Sequence, residues 1–201
     1  MARPREFDED RVVTAAMETF WRHGYEATST RDLCDSTGLG PSSLYNTFGG
    51  KRQLYLRALR RYHDTATEEQ VAILRGDGSA KERLRAMMMH SVDADLAESG
   101  RAGATDAAGT RGCFAINAAV EAAAYDPEVR EAVRRSFDRV EDELCAVVEA
   151  GRAAGEIRAT GDARVVARRV QSTYYGLRVL SRVQDDRDVL LATVDGALAD
   201  L

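Results

Sequence analysis

The chain has 201 residues, enough for one domain of ordinary size or for a small domain joined to a larger one. Its formal net charge of −5, with 44% apolar and 30% charged residues, excludes a polycation and is typical of a globular rather than a disordered protein. No apolar run approaches the roughly 18 residues of a membrane span, and the start MARPREFDED lacks a secretory apolar segment. We therefore expect a cytoplasmic protein without a membrane partner.

Helical periodicity runs along most of the chain, and strand-like alternation is nearly absent. The pattern predicts an all-α protein of about nine helices, near residues 9–23, 29–37, 41–47, 51–74, 81–98, 113–125, 127–154, 163–183 and 188–201. Residues 99–111, rich in Gly, Ala and Thr, are predicted to form a flexible loop.

Helix ends carry recognisable signals. Asp8, Thr28 and Asp162 are predicted N-caps, and Phe7 with Val12 has the spacing of a hydrophobic staple. Pro127 suits the first turn of a helix.

Residues 28–48, TSTRDLCDSTGLGPSSLYNTF, contain the most informative pattern: a short helix, a glycine turn and a second short helix. An apolar inner face would hold the two helices together, supplied by Leu33, Cys34, Leu39, Leu44 and Phe48. Short hydrogen-bonding side chains lie on the opposite face, where they suit a DNA major groove about 12 Å wide; they are Ser42, Ser43, Asn46 and Thr47.

Charge is distributed unevenly along the chain. Residues 36–63 contain no acidic side chain but five basic ones, namely Lys51, Arg52, Arg57, Arg60 and Arg61. Residues 1–63 therefore have a net charge of +2, and the remainder has −7. This asymmetry favours a DNA-facing N-terminal domain on an acidic body. Separately, we expect a helix-turn-helix domain over residues 1–50 and a regulatory domain over residues 51–201.

The sequence resembles the TetR/AcrR family of transcriptional regulators. The similarity is carried by FWRHGY at residues 20–25, TSTRDL at 28–33 and GLGPSSLYNTFGGK at 38–51, in which Leu44, Tyr45, Phe48 and Lys51 form the most specific core. The close match covers roughly residues 7–55. The resemblance implies a homodimer with two N-terminal helix-turn-helix heads and C-terminal halves that hold a ligand cavity.

Specific residues follow from the resemblance. It places Pro41, Ser42, Ser43, Asn46 and Thr47 in or beside the major groove of double-stranded operator DNA. Tyr45 and Lys51 would contact phosphate, and Thr28 would do so while capping the second helix. The family commonly has a bulky or aromatic side chain where Asn46 or Thr47 stands, so which base each residue reads stays open.

The last two predicted helices carry apolar stripes that the resemblance assigns to a dimer interface; the stripe residues are Val166, Val170, Thr173, Leu177 and Leu180, then Leu190, Val194, Ala197, Leu198 and Leu201. Gly176 and Ser172 would allow close approach of a partner helix. The alternative is that the stripes pack only on their own subunit. A two-fold dimer predicts a pseudo-palindromic operator.

A small-molecule inducer of unknown identity would bind the C-terminal half and release the repressor from DNA. Candidate pocket residues are polar or soft side chains on otherwise apolar helices: Met88, His90, Ser91, Phe114, Asn117, Phe137, Tyr174, Tyr175 and Arg178. Each is also compatible with an ordinary core or surface position.

Cys113 suggests another mode of control. It follows Arg111 and Gly112 at the start of a predicted helix, and both a neighbouring Arg and a helix N-terminus favour the reactive thiolate. Oxidation or electrophile modification of Cys113 is therefore the alternative to an inducer. A small buried thiol without reactivity is the simpler interpretation.

The cysteine and histidine spacings predict no disulfide framework, metal site or cofactor, since the three of each are scattered. No G-x-S-x-G, H-E-x-x-H or Walker loop indicates an enzyme. The competing functions are a helical enzyme and a helix-turn-helix that binds only protein. A DNA affinity that falls steeply with rising salt would distinguish a DNA-binding protein from both.

Overall fold

A computed structural model describes residues 8–99 and 111–201, and all of its regular structure in these ranges is helical. The helices are α1 (Glu9–His23), α2 (Thr30–Thr37), α3 (Pro41–Phe48), α4 (Lys51–Tyr62), α5 (Glu68–Leu74), α6 (Ala80–Ser99), α7 (Phe114–Glu121), α8 (Pro127–Ala153), α9 (Ala163–Leu180) and α10 (Arg187–Ala199). Most of the predicted flexible loop, and Phe7 of the predicted staple, lie outside the described residues.

The N-terminal part is a three-helix head packed on α4. Asp8 caps α1 through its carboxylate, as predicted, and Gly24 ends this helix with a φ of 83°. Buried side chains of α1 to α4 form one core, which includes Phe20, Leu33, Leu44 and Tyr55. The all-α prediction with a helix-turn-helix head is therefore confirmed.

The predicted helix 51–74 is right in extent but contains an irregularity. A π-helical turn, His63–Thr67, separates α4 from α5, so the three segments form one interrupted helix. When α4, the π-helical turn and α5 are counted as one helix, the described ranges contain nine helices. Tyr62 and Thr67 are both buried, although residues five apart lie about 140° apart on a regular α-helix. The wider π turn brings both inward, which periodicity alone does not reveal.

The C-terminal part is a bundle built around the long helix α8. This helix packs against α9, while α6 packs against α10 and α8. Its capping residue is Asp126, whose carboxylate accepts from the backbone of Glu128 and Val129. The predicted start of this helix at Pro127 is thus confirmed.

Two predicted helices end earlier than expected. The predicted helix 113–125 stops at Glu121, because residues 122–125 form a turn that leads into the capping Asp126. The predicted helix 163–183 stops at Leu180, where the hydroxyl of the next residue, Ser181, donates to buried Asp95. A local turn therefore accounts for the first of these ends, whereas the second lies beside a tertiary partner.

Candidate DNA-binding surface and internal cavity

The helix-turn-helix is formed by α2, a three-residue turn and α3. Gly38 ends α2 with a φ of 73°, a left-handed conformation that suits glycine, and Pro41 occupies the first turn of α3. Leu33, Leu44 and Phe48 are buried between the helices. This packing leaves the opposite side of α3 facing outward.

The outward face of α3 is polar and carries no charge. Pro41, Ser42, Tyr45 and Asn46 are exposed, whereas Ser43 and Thr47 are half-buried. Tyr45 is 57% exposed, and its ring lies against Gly50, where an added Cβ would come within 3.1 Å of it. Side chains of this kind can enter a major groove and hydrogen-bond base edges without repelling phosphate.

The prediction that Thr28 caps α2 is wrong. Ser29 is the N-cap of α2, and it forms a capping box with Asp32 in which each side chain bonds the other's backbone N–H. Thr28 is only 1% exposed, and its hydroxyl donates to the carbonyl oxygen of Gly24 at 2.6 Å. The side chain therefore stabilises the bend after α1 instead of capping α2.

Lys51 lies at the first residue of α4, next to the exposed end of α3. Its ammonium is 3.4 Å from the carbonyl oxygen of Glu26 and 4.4 Å from the centroid of the Tyr25 ring. The backbone at the start of α4 has no side-chain cap, so its N–H groups are available to an anion. Lysine and helix terminus together suit a phosphate.

The basic charge of residues 51–61 is largely paired within the protein. Arg52 bonds Asp126 and Glu128, Arg57 bonds Glu9, and Arg61 lies 3.7 Å from Asp10. The local charge asymmetry seen in the sequence therefore overstates the positive charge that is free to meet DNA.

The head is also held by Glu121, at the end of α7. Its two carboxylate oxygens accept from the backbone N–H groups of Tyr25 and Glu26, each at 2.8 Å. The Glu26 carbonyl accepts a hydrogen bond from the Lys51 ammonium, so α7 and Lys51 both bond the same segment, residues 25–26.

A partly open cavity of about 140 Å³ lies where the head, α6 and α9 meet. Trp21 of α1, Tyr62 of α4 and Arg178 of α9 are part of its wall. The Trp21 and Tyr62 rings meet edge to face at 5.1 Å, and Trp21 Nε1 donates to the Gly112 carbonyl oxygen at 3.1 Å.

Arg178 is the polar centre of this region and is only 7% exposed. Its Nη2 donates to the Gly112 carbonyl oxygen at 2.7 Å and lies 3.1 Å from Asp95 Oδ1, while its Nε is buried without a partner. Burial raises the pKa of Asp95, with Arg178 acting in the opposite direction. Burial also raises the pKa of Tyr62 well above its ordinary value, so that this phenol stays protonated.

Three of the predicted pocket residues line the cavity. Ser91 and Arg178 are buried in its wall, and His90 is exposed at its rim. Tyr174 stands behind Ser91, bonded to its hydroxyl at 2.7 Å. Met88 is fully buried in the core of the C-terminal bundle.

The other candidate pocket residues lie elsewhere. Phe114 belongs to the aromatic cluster of the head, packed on Tyr55 and Tyr62. Asn117 lies in an outer depression beside Arg182, and Phe137 packs on Tyr175 with ring centroids 4.5 Å apart. These residues do not line the cavity beside Ser91, because α7 and α8 direct them to other surfaces, and their part in ligand binding stays a prediction.

Sequence reasoning missed several cavity residues, among them Trp21, Tyr62 and Asp95. The sequence does contain a signal for Asp95: it is an acidic residue one turn after Ser91 and Val92, on the buried face of α6. The two aromatic residues left none, because their periodicity is that of ordinary core.

Cys113 is the N-cap of α7 and is 5% exposed, with its Sγ 3.2 Å from the Tyr62 hydroxyl. The neighbouring Arg111 does not face the thiol, because its guanidinium pairs with Glu18 and Glu98 and covers the Trp21 ring. One of the two arguments for a reactive thiolate is therefore wrong, and burial favours the simpler interpretation.

The apolar stripes of the last two helices are mostly intramolecular. Thr173 and Ala197 are half-buried, Leu180 is exposed, and the other members are buried in the bundle core. A different α9 face is exposed and holds Val165, Ser172, Gly176 and Val179. The stripes named from the sequence thus pack on their own subunit.

Comparison with known proteins places the molecule in a class. The fold is that of a helix-turn-helix transcriptional regulator: the N-terminal domain described as "Bacterial regulatory proteins, tetR family" matches residues 12–58. The domain described as "Tetracyclin repressor-like, C-terminal domain" matches residues 80–195. The chain therefore belongs to the TetR family.

Individual relatives agree with this assignment. The uncharacterized HTH-type transcriptional regulator YezE of Bacillus subtilis is 32% identical over the full length of both chains. The HTH-type transcriptional repressor ComR of Escherichia coli is 47% identical over 62 residues, 31% of this chain and 30% of ComR. A cysteine mutant of the TetR family regulator CifR, solved with 26-bp double-strand operator DNA, has a TM-score of 0.79 and 29% identity, covering 98% of each chain.

None of the helices in the described parts of the chain is both long and apolar enough to cross a membrane.

Proposed function

We propose that this regulator is a homodimeric repressor that binds a pseudo-palindromic operator and is released by a small-molecule inducer. The observation that carries DNA reading is the exposed, uncharged face of α3, with Ser42 and Asn46 at its centre. Residues 1–50 would form the reading head and residues 51–201 the regulatory part, with α4 packed into both. The name of the repressor ComR, which is 47% identical over 62 residues, favours repression.

Dimerisation would use the exposed faces of α9 and α10. Val165, Val179 and Val189 are 47–61% exposed, and Gly176 and Gly196 have no neighbouring atom near the position of a Cβ. Small residues flanked by exposed apolar ones suit close approach of a partner helix. A two-fold pair would place its heads about 34–36 Å apart, one turn of DNA.

Control by a ligand would travel through α7. The carbonyl of Gly112, two residues before α7, accepts from Trp21 and Arg178 at the cavity, and Glu121 at the other end of α7 bonds the amides of Tyr25 and Glu26. A ligand that shifts α7 would therefore move the head. The coupling free energy would be about 1–3 kcal/mol, and DNA would weaken ligand binding by the same factor.

Selection of random duplexes by the purified protein tests this function. We expect a palindromic winner, bound by two chains, with an affinity that falls steeply as salt rises. If the protein enriches no sequence, a sample freed of any bound small molecule by denaturation and refolding is selected again. Failure of that sample too would contradict sequence-specific DNA binding.

A further inference from the structure

A groove of about 440 Å³ lies between α4 and α8, and it shares no lining residue with the cavity described above. The two helices are joined at both ends of this groove. Arg52 pairs with Asp126 at 2.7 Å, and His63 Nδ1 lies 3.2 Å from Ser136 Oγ. Every α4 and α8 residue that lines the groove lies between these two contacts in sequence. The groove is therefore a gap between two helices that are held together on either side of it.

Two of the guanidinium groups in the groove are unpaired. Arg60 of α4 and Arg135 of α8 are exposed, and neither side chain has a hydrogen-bond or ion-pair partner within residues 8–99 and 111–201. A third, Arg57, lies one turn before Arg60 and pairs with Glu9 at 3.2 Å. Because like charges one turn apart on a helix repel each other, a bound anion would relieve this repulsion.

The carboxylates of the groove are already neutralised from outside it. Glu128 bonds Arg52 at 2.8 Å and Glu131 bonds Arg134 at 2.8 Å. Neither of these two arginines lines the groove, so the positive charge of the unpaired ones is left uncompensated among the described residues. An arginine side chain presents its N–H groups in a planar fork that matches a carboxylate or a phosphate.

The inner surface of the groove is apolar. Phe48 and Leu59 are buried, and Leu56 and Ala132 are half-buried, whereas the arginines and glutamates that line the groove are exposed. An apolar surface with a few charged groups at its edge is typical of sites for organic ligands. An ion without an apolar part would leave this surface in water.

We propose that this groove binds an organic anion whose carboxylate or phosphate group accepts from both Arg60 and Arg135. The apolar part of the ligand lies on Leu56 and Ala132. The groove is separate from the exposed face of α3 and from the cavity beside Arg178, so the inference goes beyond the proposed function. The bound anion joins α4 and α8 at a third place, between the two contacts at the ends of the groove.

Isothermal titration calorimetry at constant ionic strength tests the chemical class of the ligand. Phenyl phosphate and benzoate each combine an oxyanion with an apolar ring, and we expect saturable binding of at least one of them. Benzyl alcohol lacks the charge, benzylammonium reverses it, and inorganic phosphate lacks the ring. We expect each of these three to bind at least about tenfold more weakly. No saturable binding of either organic anion, or equal binding of any of the other three, would overturn the proposal.

Variants locate the binding. Arg135→Gln and Arg60→Gln each remove one unpaired guanidinium from an exposed position, so no internal contact of the fold is lost. We expect each to weaken binding of the organic anion at least about tenfold. Arg11→Gln removes the same charge from an exposed position on α1, outside the groove, and should bind like the wild type. Unchanged binding in either groove variant would place the anion elsewhere and overturn the proposal, as would an equal loss in Arg11→Gln.

The phosphate backbone of DNA is the other anion that these guanidiniums could meet. Titration of an unrelated duplex into the same variants distinguishes the two. If Arg135→Gln weakens duplex binding and leaves phenyl phosphate binding unchanged, the groove contacts DNA and the proposal is wrong. We expect the reverse. The calorimetry contains no DNA, so a failure of operator selection and a failure of anion binding are separate results.

Discussion

Arg52 of α4 and Asp126 at the start of α8 form a two-pronged ion pair. Arg52 Nε donates to Asp126 Oδ2 at 2.7 Å, and Arg52 Nη2 donates to Oδ1 at 2.9 Å. The same carboxylate caps α8 by accepting from two backbone N–H groups. One side chain thus fixes both the start of α8 and the position of α4 relative to it.

Asp126→Asn isolates the ion pair from the cap. Asn is as good an N-cap as Asp, so α8 should keep its start while the charge facing Arg52 is lost. We expect the free energy of unfolding to fall by about 1–2 kcal/mol, a modest value because the pair is partly exposed. Urea denaturation measures it. Glu131→Gln on the exposed side of α8 is the control, and equal losses in both variants would contradict a special role for Asp126.

Acid should weaken the same contact. The hydrogen bonds from Arg52 hold the pKa of Asp126 below its ordinary value of about 3.9, so the folded state binds this proton less readily than the unfolded chain. The stabilisation is therefore complete above about pH 5 and is lost as the pH falls through the lowered pKa. Melting temperatures between pH 7 and pH 3 should fall less steeply for Asp126→Asn than for the wild type. Parallel curves would show that the pair does not titrate as proposed.

Asn46 and Lys51 should differ in what they contribute to DNA binding. Asn46→Ala removes an exposed amide from α3, and we expect loss of about 1–3 kcal/mol of preference for the selected sequence. Lys51→Ala should instead weaken all sequences alike and reduce the salt slope by about one unit. Anisotropy titrations on selected and scrambled duplexes separate the two. Lys81→Ala, at the chain's other lysine, is the control. Identical profiles for Asn46→Ala and Lys51→Ala would contradict the assignment of base reading to Asn46 and phosphate binding to Lys51.

Val179→Glu should break the proposed dimer. Val179 is 53% exposed on α9, so a carboxylate there costs a single subunit little but would be buried between two. Sedimentation should give the mass of two 22.0 kDa chains for the wild type and of one for the variant. Tyr125→Glu, at a residue 89% exposed in the turn before α8, is the control. A dimeric Val179→Glu protein would place the interface on another face.

Cys113→Ser decides between an inducer and thiol chemistry. The buried Cys113 should react with N-ethylmaleimide more slowly than half-buried Cys34, which mass spectrometry of the native protein measures. We expect Cys113→Ser to bind the operator normally and to respond to an electrophile like the wild type. A response that disappears in the variant would instead establish Cys113 as the sensor.

Local sequence determined the helical architecture and the DNA-reading unit. Asp8, Asp126 and Asp162 mark helix starts because a carboxylate bonds backbone N–H groups within its own turn, and Gly38 ends α2 because it tolerates a left-handed conformation. The inner and outer faces of α3 follow from helical periodicity alone. The sequence offers two adjacent hydroxyl residues, Thr28 and Ser29, as the cap of α2. Because Thr28 is buried, Ser29 is the cap.

Tertiary structure alone decided the cavity and the outcome of most charges. Trp21 and Arg178 are 157 residues apart in sequence and meet only because α1 and α9 both approach Gly112. The sequence predicts that Arg52 is a DNA-facing charge, but in the fold Arg52 pairs with Asp126, which lies 74 positions further along the chain. Helix formation depends on neighbours within a few residues, whereas cavities and ion pairs depend on which distant helices pack together, and no local pattern contains that information.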